Sequence, residues 1–238
     1  MMKIKILATG SSRWERFIRR WGVSFLIDED VLFDTFGDPD VLLNNMRRLS
    51  VDTNKIKHIV LSHDDWDHIG GLWYLIDHRK DITVYICPGF KQDIKERIAS
   101  FDVRIVEVDR LTQIKEDVFS SGPIQALCKG RLIFEQALIL KFLKKLTVVT
   151  GCAHPGIVNI IDVVHKSFVK EKVFSVIGGL HLKDAPMPQI EEVILALKAR
   201  GISRIAPTHC TGKKATKALR KEYGIDFREV GAGTIIEI

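Results

Sequence analysis

From Leu61 to Gly71 the chain reads Leu-Ser-His-Asp-Asp-Trp-Asp-His-Ile-Gly-Gly, which sets His63, Asp65, Asp67 and His68 within six residues of one another. Imidazole nitrogens and anionic carboxylate oxygens at this density suit a borderline or hard divalent metal ion. The run sits where an apolar strand, His58 to Leu61, gives way to a helix beginning near Ile69. A solvated surface loop has no reason to place two histidines and three acids directly after a buried strand, then to pack closely through Gly70-Gly71.

Such a loop has to be held by the elements around it. Strand-like runs rich in Ile, Val and Phe are expected at 3–9, 23–27, 31–34, 58–61, 83–86, 103–108, 136–141, 146–150, 173–177, 204–206 and 234–238. Helical periodicity is expected over 40–48, 69–78, 89–100, 156–169, 189–200 and 211–223. Early strands follow one another through tight links, with Ile27 to Val31 reading as a hairpin, whereas later strands alternate with helices. That mixture predicts a single α/β domain over 1–238, two mixed sheets with helices on both outer faces in an αββα order. Residues 109–135 are the least periodic, a candidate active-site lid, or else the place of a short strand around 124–127.

Composition narrows the class. In 238 residues, 46% are hydrophobic and 28% charged, with Gly 17 and Pro 7, which excludes disordered and collagen-like chains. No apolar run approaches the roughly 18 to 20 residues of a membrane span, and basic residues interrupt the first twenty positions, so a cytoplasmic protein without membrane contact is expected. Cys87, Cys128, Cys152 and Cys210 form no Cys-x-x-Cys pair, which excludes a zinc ribbon or a dithiol redox motif. The formal charge of +6 suits an anionic small molecule. Nucleic acid is not expected as a partner, since no clamping arm or second domain is visible, and nothing in the sequence identifies an oligomer interface.

The 61–71 motif resembles that of the metallo-β-lactamase superfamily, His-x-His-x-Asp-His followed by Gly-Gly. The resemblance runs nearly the full length. The segments 149–159 (Val-Thr-Gly-Cys-Ala-His-Pro-Gly-Ile-Val-Asn), 177–182 (Ile-Gly-Gly-Leu-His-Leu) and 207–212 (Pro-Thr-His-Cys-Thr-Gly), with Glu135-Gln136-Ala137, are similar to the branch of dihydropterin-type synthases of methanopterin biosynthesis. It implies a first metal site from His63, Asp65 and His154 and a second from Asp67, His68 and His209, holding one or two ions of zinc, iron or manganese. It also implies that Asp34 supports the metal loop, physically by orienting an imidazole or holding backbone; a plain turn-forming Asp is the alternative. Two departures stand out. Asp65 replaces the usual second histidine, which shifts preference from zinc towards iron or manganese. Gly178-Gly179 stand where an acid usually bridges two metals.

His181 ends a strand-like run just after those glycines, where it suits either a metal ligand in place of the missing bridge or a general acid. At the start of the last long helix, Thr211 as a cap with Gly212 and Lys213 would suit a phosphate or carboxylate, although the glycine spacing of a Walker A loop is absent. Cys152 and Cys210 flank His154 and His209 and could approach the metals, but by default read as small buried hydrophobes, and His58, His78 and His165 read as ordinary residues. The activity expected is metal-assisted hydrolysis of an ester or phosphoester, with Asp67 holding the attacking water and His181 serving the oxyanion or leaving group. The alternatives are a pterin-type transferase and a non-catalytic metal- or ligand-binding protein on a decayed scaffold.

Overall fold

The computed structural model describes residues 1–10, 20–77, 79–128 and 130–238. The chain divides into two compact units, one of Met1–Asp109 with Gly231–Ile238, the other Arg110–Val230. No helix among the described residues is long and apolar enough to cross a membrane.

The first unit is built on a seven-stranded mixed sheet. Its strands are β1 (Lys3–Gly10), β2 (Gly22–Ile27), β3 (Val31–Phe33), β4 (His58–Val60), β5 (Thr83–Ile86) and β6 (Arg104–Glu107), with the C-terminal strand Ile235–Glu237 alongside β1. From the C-terminal strand to β3 the pairing is antiparallel, and Ile27 opposes Val31 across the expected hairpin. From β3 to β6 it is parallel. The helices are α1 (Pro39–Arg48), α2 (Trp66–Ile69), α3 (Leu72–Ile76) and α4 (Gln92–Ala99). Helix α1 starts where a proline belongs and the Asp38 side chain accepts from the amides of Asp40 and Val41, satisfying two of its orphan donors. It buries Leu42 and Met46.

The second unit has a six-stranded mixed sheet ordered β14-β13-β12-β11-β8-β7 and a separate hairpin of β9 with β10. In chain order the strands are β7 (Thr112–Lys115), β8 (Val118–Ser120), β9 (Ile124–Cys128), β10 (Arg131–Glu135), β11 (Leu138–Phe142), β12 (Lys145–Thr150), β13 (Lys172–Gly179) and β14 (Arg204–Thr208). Helices α5 (Ile157–Ser167), α6 (Met187–Ala199) and α7 (Gly212–Tyr223) follow β12, β13 and β14. One apolar cluster joins sheet and helices, with Ile139, Val148 and Val176 from the strands and Ile161, Ile190, Ile194 and Leu219 from the helices. Arg200, at the end of α6, forks onto Asp162 of α5 with bonds of 2.6 and 2.8 Å. The Arg200 bond holds the Asp162 carboxyl below its usual range, so its stabilisation is present above the ordinary carboxylate pKa and is lost as pH falls through the lowered one. Because the pair is partly exposed, Asp162→Asn should cost no more than about 1 kcal/mol in urea unfolding at neutral pH and nothing in strong acid.

Two expectations are corrected. Residues 109–135, read as an irregular candidate lid with a short strand near 124–127 as the alternative, hold four hydrogen-bonded strands, β7 to β10. Three- and four-residue strands and the short alternation of a hairpin give too few repeats for periodicity to register. The single helix expected over 69–78 is the pair α2 and α3. At the break the Gly71 amide donates to the Thr35 carbonyl and the His68 carbonyl accepts from the Thr35 amide, and glycines allow this approach, since a Cβ at Gly70 would lie 2.3 Å from the Gly37 carbonyl oxygen and one at Gly71 2.6 Å from that of Thr35. His78 lies outside the described residues.

Candidate metal centre

The chemistry-bearing residues stand after the carboxyl ends of parallel strands. In the first unit Phe33 pairs with Val60, so Asp34 after β3 and the loop of His63 after β4 leave the sheet side by side. In the second, Thr150 pairs with Gly178 and Gly179 with Thr208, so the loops of His154, His181 and His209 leave at one level. Aligned strand ends are where open α/β sheets place their ligands.

In the first unit Asp34 is fully buried and ties the metal-type loop together. One carboxylate oxygen accepts from the Ser62 amide at 2.7 Å; the other accepts from the Ser62 hydroxyl at 2.7 Å and pairs with His68 Nδ1 at 2.6 Å. It both orients an imidazole and holds backbone, from a residue that itself stands at φ +56°. The Ser62 hydroxyl also meets His63 Nδ1 at 2.8 Å. With both Nδ1 atoms engaged, the Nε2 atoms turn the other way. That of His63 lies 3.5 Å from an Asp65 oxygen and that of His68 3.5 Å from an Asp67 oxygen, with the two rings 4.1 Å apart between centroids. The His68 carbonyl accepts from the Thr35 amide at 2.7 Å and hydroxyl at 3.0 Å, and the Gly71 amide donates back to Thr35 at 3.1 Å. Burial alone would push the His68 imidazole down, but the Asp34 and Asp67 carboxylates outweigh it and raise its pKa well above the ordinary value. A field that holds a proton on His68 also suits a cation at Nε2.

The second unit repeats the device. Glu135, at the end of β10 and almost fully buried, accepts from the amides of Cys152 at 2.9 Å and Ala153 at 2.7 Å through one oxygen. Its other oxygen takes the His154 amide at 2.8 Å and pairs with His154 Nδ1 at 3.0 Å. The His154 ring lies 4.4 Å from that of His181. His209 is fully buried, with Nε2 3.3 Å from Cys152 Sγ. Ala153, His181 and His209 all have φ between +51° and +63°, a conformation side-chain-bearing residues seldom adopt.

Glu135 was not singled out by chemistry in the sequence. Cys152 and Cys210 are buried, as expected, but their sulfurs face polar groups. Cys210 Sγ is within bonding range of the Cys152 carbonyl oxygen at 3.3 Å, and the His181 amide donates to it at 3.3 Å. Burial works against a Cys210 thiolate, yet its bond with Cys152 and the charges of His209 and His181 prevail and bring its pKa well below the ordinary value. Thr211 does not cap α7. Its hydroxyl accepts from the Leu180 amide at 3.1 Å, and the cap position has helical dihedrals. Gly212 packs against Lys183, while Lys213 is exposed. His58, read as ordinary, meets the Tyr85 hydroxyl at 3.1 Å.

Imidazoles fixed through Nδ1, His68 and His154 by buried carboxylates and His63 by the Ser62 hydroxyl, with Asp65 and Asp67 beside the Nε2 atoms of His63 and His68, fit a divalent metal ion; carboxylate-oriented histidines are the usual support of metal ligands. Comparison with known proteins agrees. The model of the metallo-β-lactamase superfamily matches residues 22–115. A relative from Methanocaldococcus jannaschii, named 7,8-dihydropterin-6-methyl-4-(beta-D-ribofuranosyl)-aminobenzene-5'-phosphate synthase, is 31% identical over 93% of this chain and 91% of its own. The crystal structure of Tm1679, a metal-dependent hydrolase of the β-lactamase superfamily, superposes with a TM-score of 0.81 at 28% identity, covering 100% of this chain and 99% of that one. YhfI from Bacillus subtilis, a metallo-β-lactamase fold protein, has a TM-score of 0.68 at 14% identity over 99% and 98% of the two chains, a likeness of fold alone. The α/β class with two mixed sheets, expected from the sequence, is that of these structures. The chain belongs to the metallo-β-lactamase superfamily.

Proposed function

We propose that the protein is a metal-dependent hydrolase of a small, anionic ester or phosphoester, with His63, Asp65, Asp67, His68, His154 and His209 as ligands of one or two divalent ions. The observation that carries this reading is the repeated pairing of a buried carboxylate with imidazole Nδ1, Asp34 with His68 and Glu135 with His154. When bound, a divalent ion there supplies Lewis acidity, lowering the pKa of a water towards about 7 and polarising the substrate oxygen under attack. Asp67 orients the attacking water. His181, exposed at the end of its strand, either protonates the leaving group or joins the ligands. The positive net charge favours an anionic substrate.

Asp65 supplies an oxygen where an imidazole is usual, which favours iron or manganese over zinc. Elemental analysis after purification with and without oxygen should therefore find iron or manganese in the native chain and a shift towards zinc in Asp65→His. Turnover of a phosphodiester, ester, lactone or thioester should accompany the native metal. Failure to retain any of the three metals, with no turnover when each is added, would overturn the reading. A second reading, favoured by the name of the Methanocaldococcus relative, has the same ligands activate a pterin-type diphosphate for condensation. Product analysis with such a substrate separates them, condensation giving a new carbon–nitrogen bond and hydrolysis none.

A further inference from the structure

We propose that Cys152, Cys210 and His181 form a sulfur-bearing metal position within the second unit, selective for a thiophilic divalent ion, iron(II), zinc or cobalt, over magnesium or calcium. The donor atoms of these three residues all lie within 4.8 Å of one another. In a tetrahedral site with bonds of about 2.3 Å to sulfur and 2.0–2.1 Å to nitrogen, donors stand about 3.5–4 Å apart, so small rotations of the side chains close the set. The three come from different loops, after β12, β13 and β14, and the register of those strands brings them to one level. The His181 amide bond to Cys210 Sγ and the approach of that sulfur to the Cys152 carbonyl oxygen already hold the loops together.

The glycine at 179 is an independent sign. A Cβ there would lie 2.3 Å from the Gly151 carbonyl oxygen and 2.7 Å from Cys210 Sγ, so the glycine lets both the backbone beside Cys152 and the Cys210 sulfur come close. The resemblance places the usual bridging acid at Gly178-Gly179, and the cysteines restore anionic charge close to where that acid is missing. On binding, each thiol releases its proton to solvent and the sulfur lone pair takes its place on the ion. Thiolates select zinc, cobalt or iron(II) and reject magnesium and calcium. The position shares none of the six ligands proposed above and assigns His181 to ligation. It deepens the metal-hydrolase reading without needing all of it to hold.

The test is reconstitution of the reduced full-length protein with cobalt(II) in the absence of oxygen, read by its thiolate-to-cobalt charge-transfer absorption in the near ultraviolet. The native protein should show this band. Cys152→Ser and Cys210→Ser should each lower it to roughly half, in proportion to the thiolates bound, and the double variant should lack it. Cys87→Ser should leave it unchanged. X-ray absorption of the zinc-loaded native chain, which needs no variant to fold, should show sulfur in the zinc shell at about 2.3 Å. Bound cobalt without the band, a band indifferent to both substitutions, or a zinc shell of nitrogen and oxygen alone would overturn the position. The band retained in a His63→Ala, His68→Ala protein that no longer turns over substrate would uphold it. Turnover and metal retained by the double cysteine variant, with the native protein lacking the band, would leave the hydrolase reading standing and this one overturned.

Discussion

His154→Ala should remove bound metal and lower turnover by on the order of 10³-fold or more, because losing several kcal/mol of charge stabilisation in the transition state costs a factor of ten for each 1.36 kcal/mol. The chain should nevertheless fold. Glu135 keeps the amides of Cys152, Ala153 and residue 154 as donors, so its carboxylate stays satisfied and only the Nδ1 partner is lost. The cost to the metal-free protein should then be about 1–2 kcal/mol in urea unfolding. Elemental analysis, turnover and the unfolding midpoint together distinguish loss of a ligand from loss of structure. Turnover within threefold of the native protein would remove His154 from the ligand set.

Glu135→Gln should do the reverse, keeping His154 while destabilising the chain. The carboxylate, itself buried, takes four donors, three backbone amides and a ring nitrogen. An amide of the same shape can accept through one oxygen only, and its NH₂ group confronts the remaining donors. Leaving one or two buried donors unmet costs about 1–3 kcal/mol each, so a loss of roughly 2–5 kcal/mol is expected in the metal-free protein. Metal affinity should fall about 10- to 100-fold as the His154 ring loses its orientation. Asp34→Asn, which disturbs the His68 imidazole and the Ser62 amide in the first unit, should lower affinity by a similar factor. Metal titration followed by unfolding of the metal-free form measures both effects. Stability within about 0.5 kcal/mol of the native protein would show that the bonds to Glu135 do not depend on its second carboxylate oxygen.

The two carboxylates differed in how visible they were. Asp34 stands at the end of a clear apolar strand, and the family resemblance implied its place beside the metal loop. Glu135 ends a five-residue strand in a segment without readable periodicity, and its four partners lie 17 to 19 residues further on, across two strand boundaries. Its chemistry exists only once β10 and the loop after β12 are brought together. The capping expectation at Thr211 failed for a related reason. A threonine before a helical pattern is a cap by local rules, but here its hydroxyl is claimed by Leu180, 31 residues away.

What the sequence determined by itself was what is local. Strand and helix identity followed from apolar periods of two and three to four, the metal-type chemistry of residues 63–68 from donor density in a short loop, and the superfamily from a motif contiguous in the chain. Tertiary structure alone decided which groups far apart in sequence share an environment: the Glu135 clamp, the split of the 69–78 helix by backbone packed against Gly70-Gly71, and the sulfurs of Cys152 and Cys210 meeting near His181 and His209. A cysteine's sequence neighbours say that it is apolar enough to bury. Whether its sulfur faces a hydrocarbon wall or imidazoles depends on the register of parallel strands, a long-range property that no short window of residues encodes.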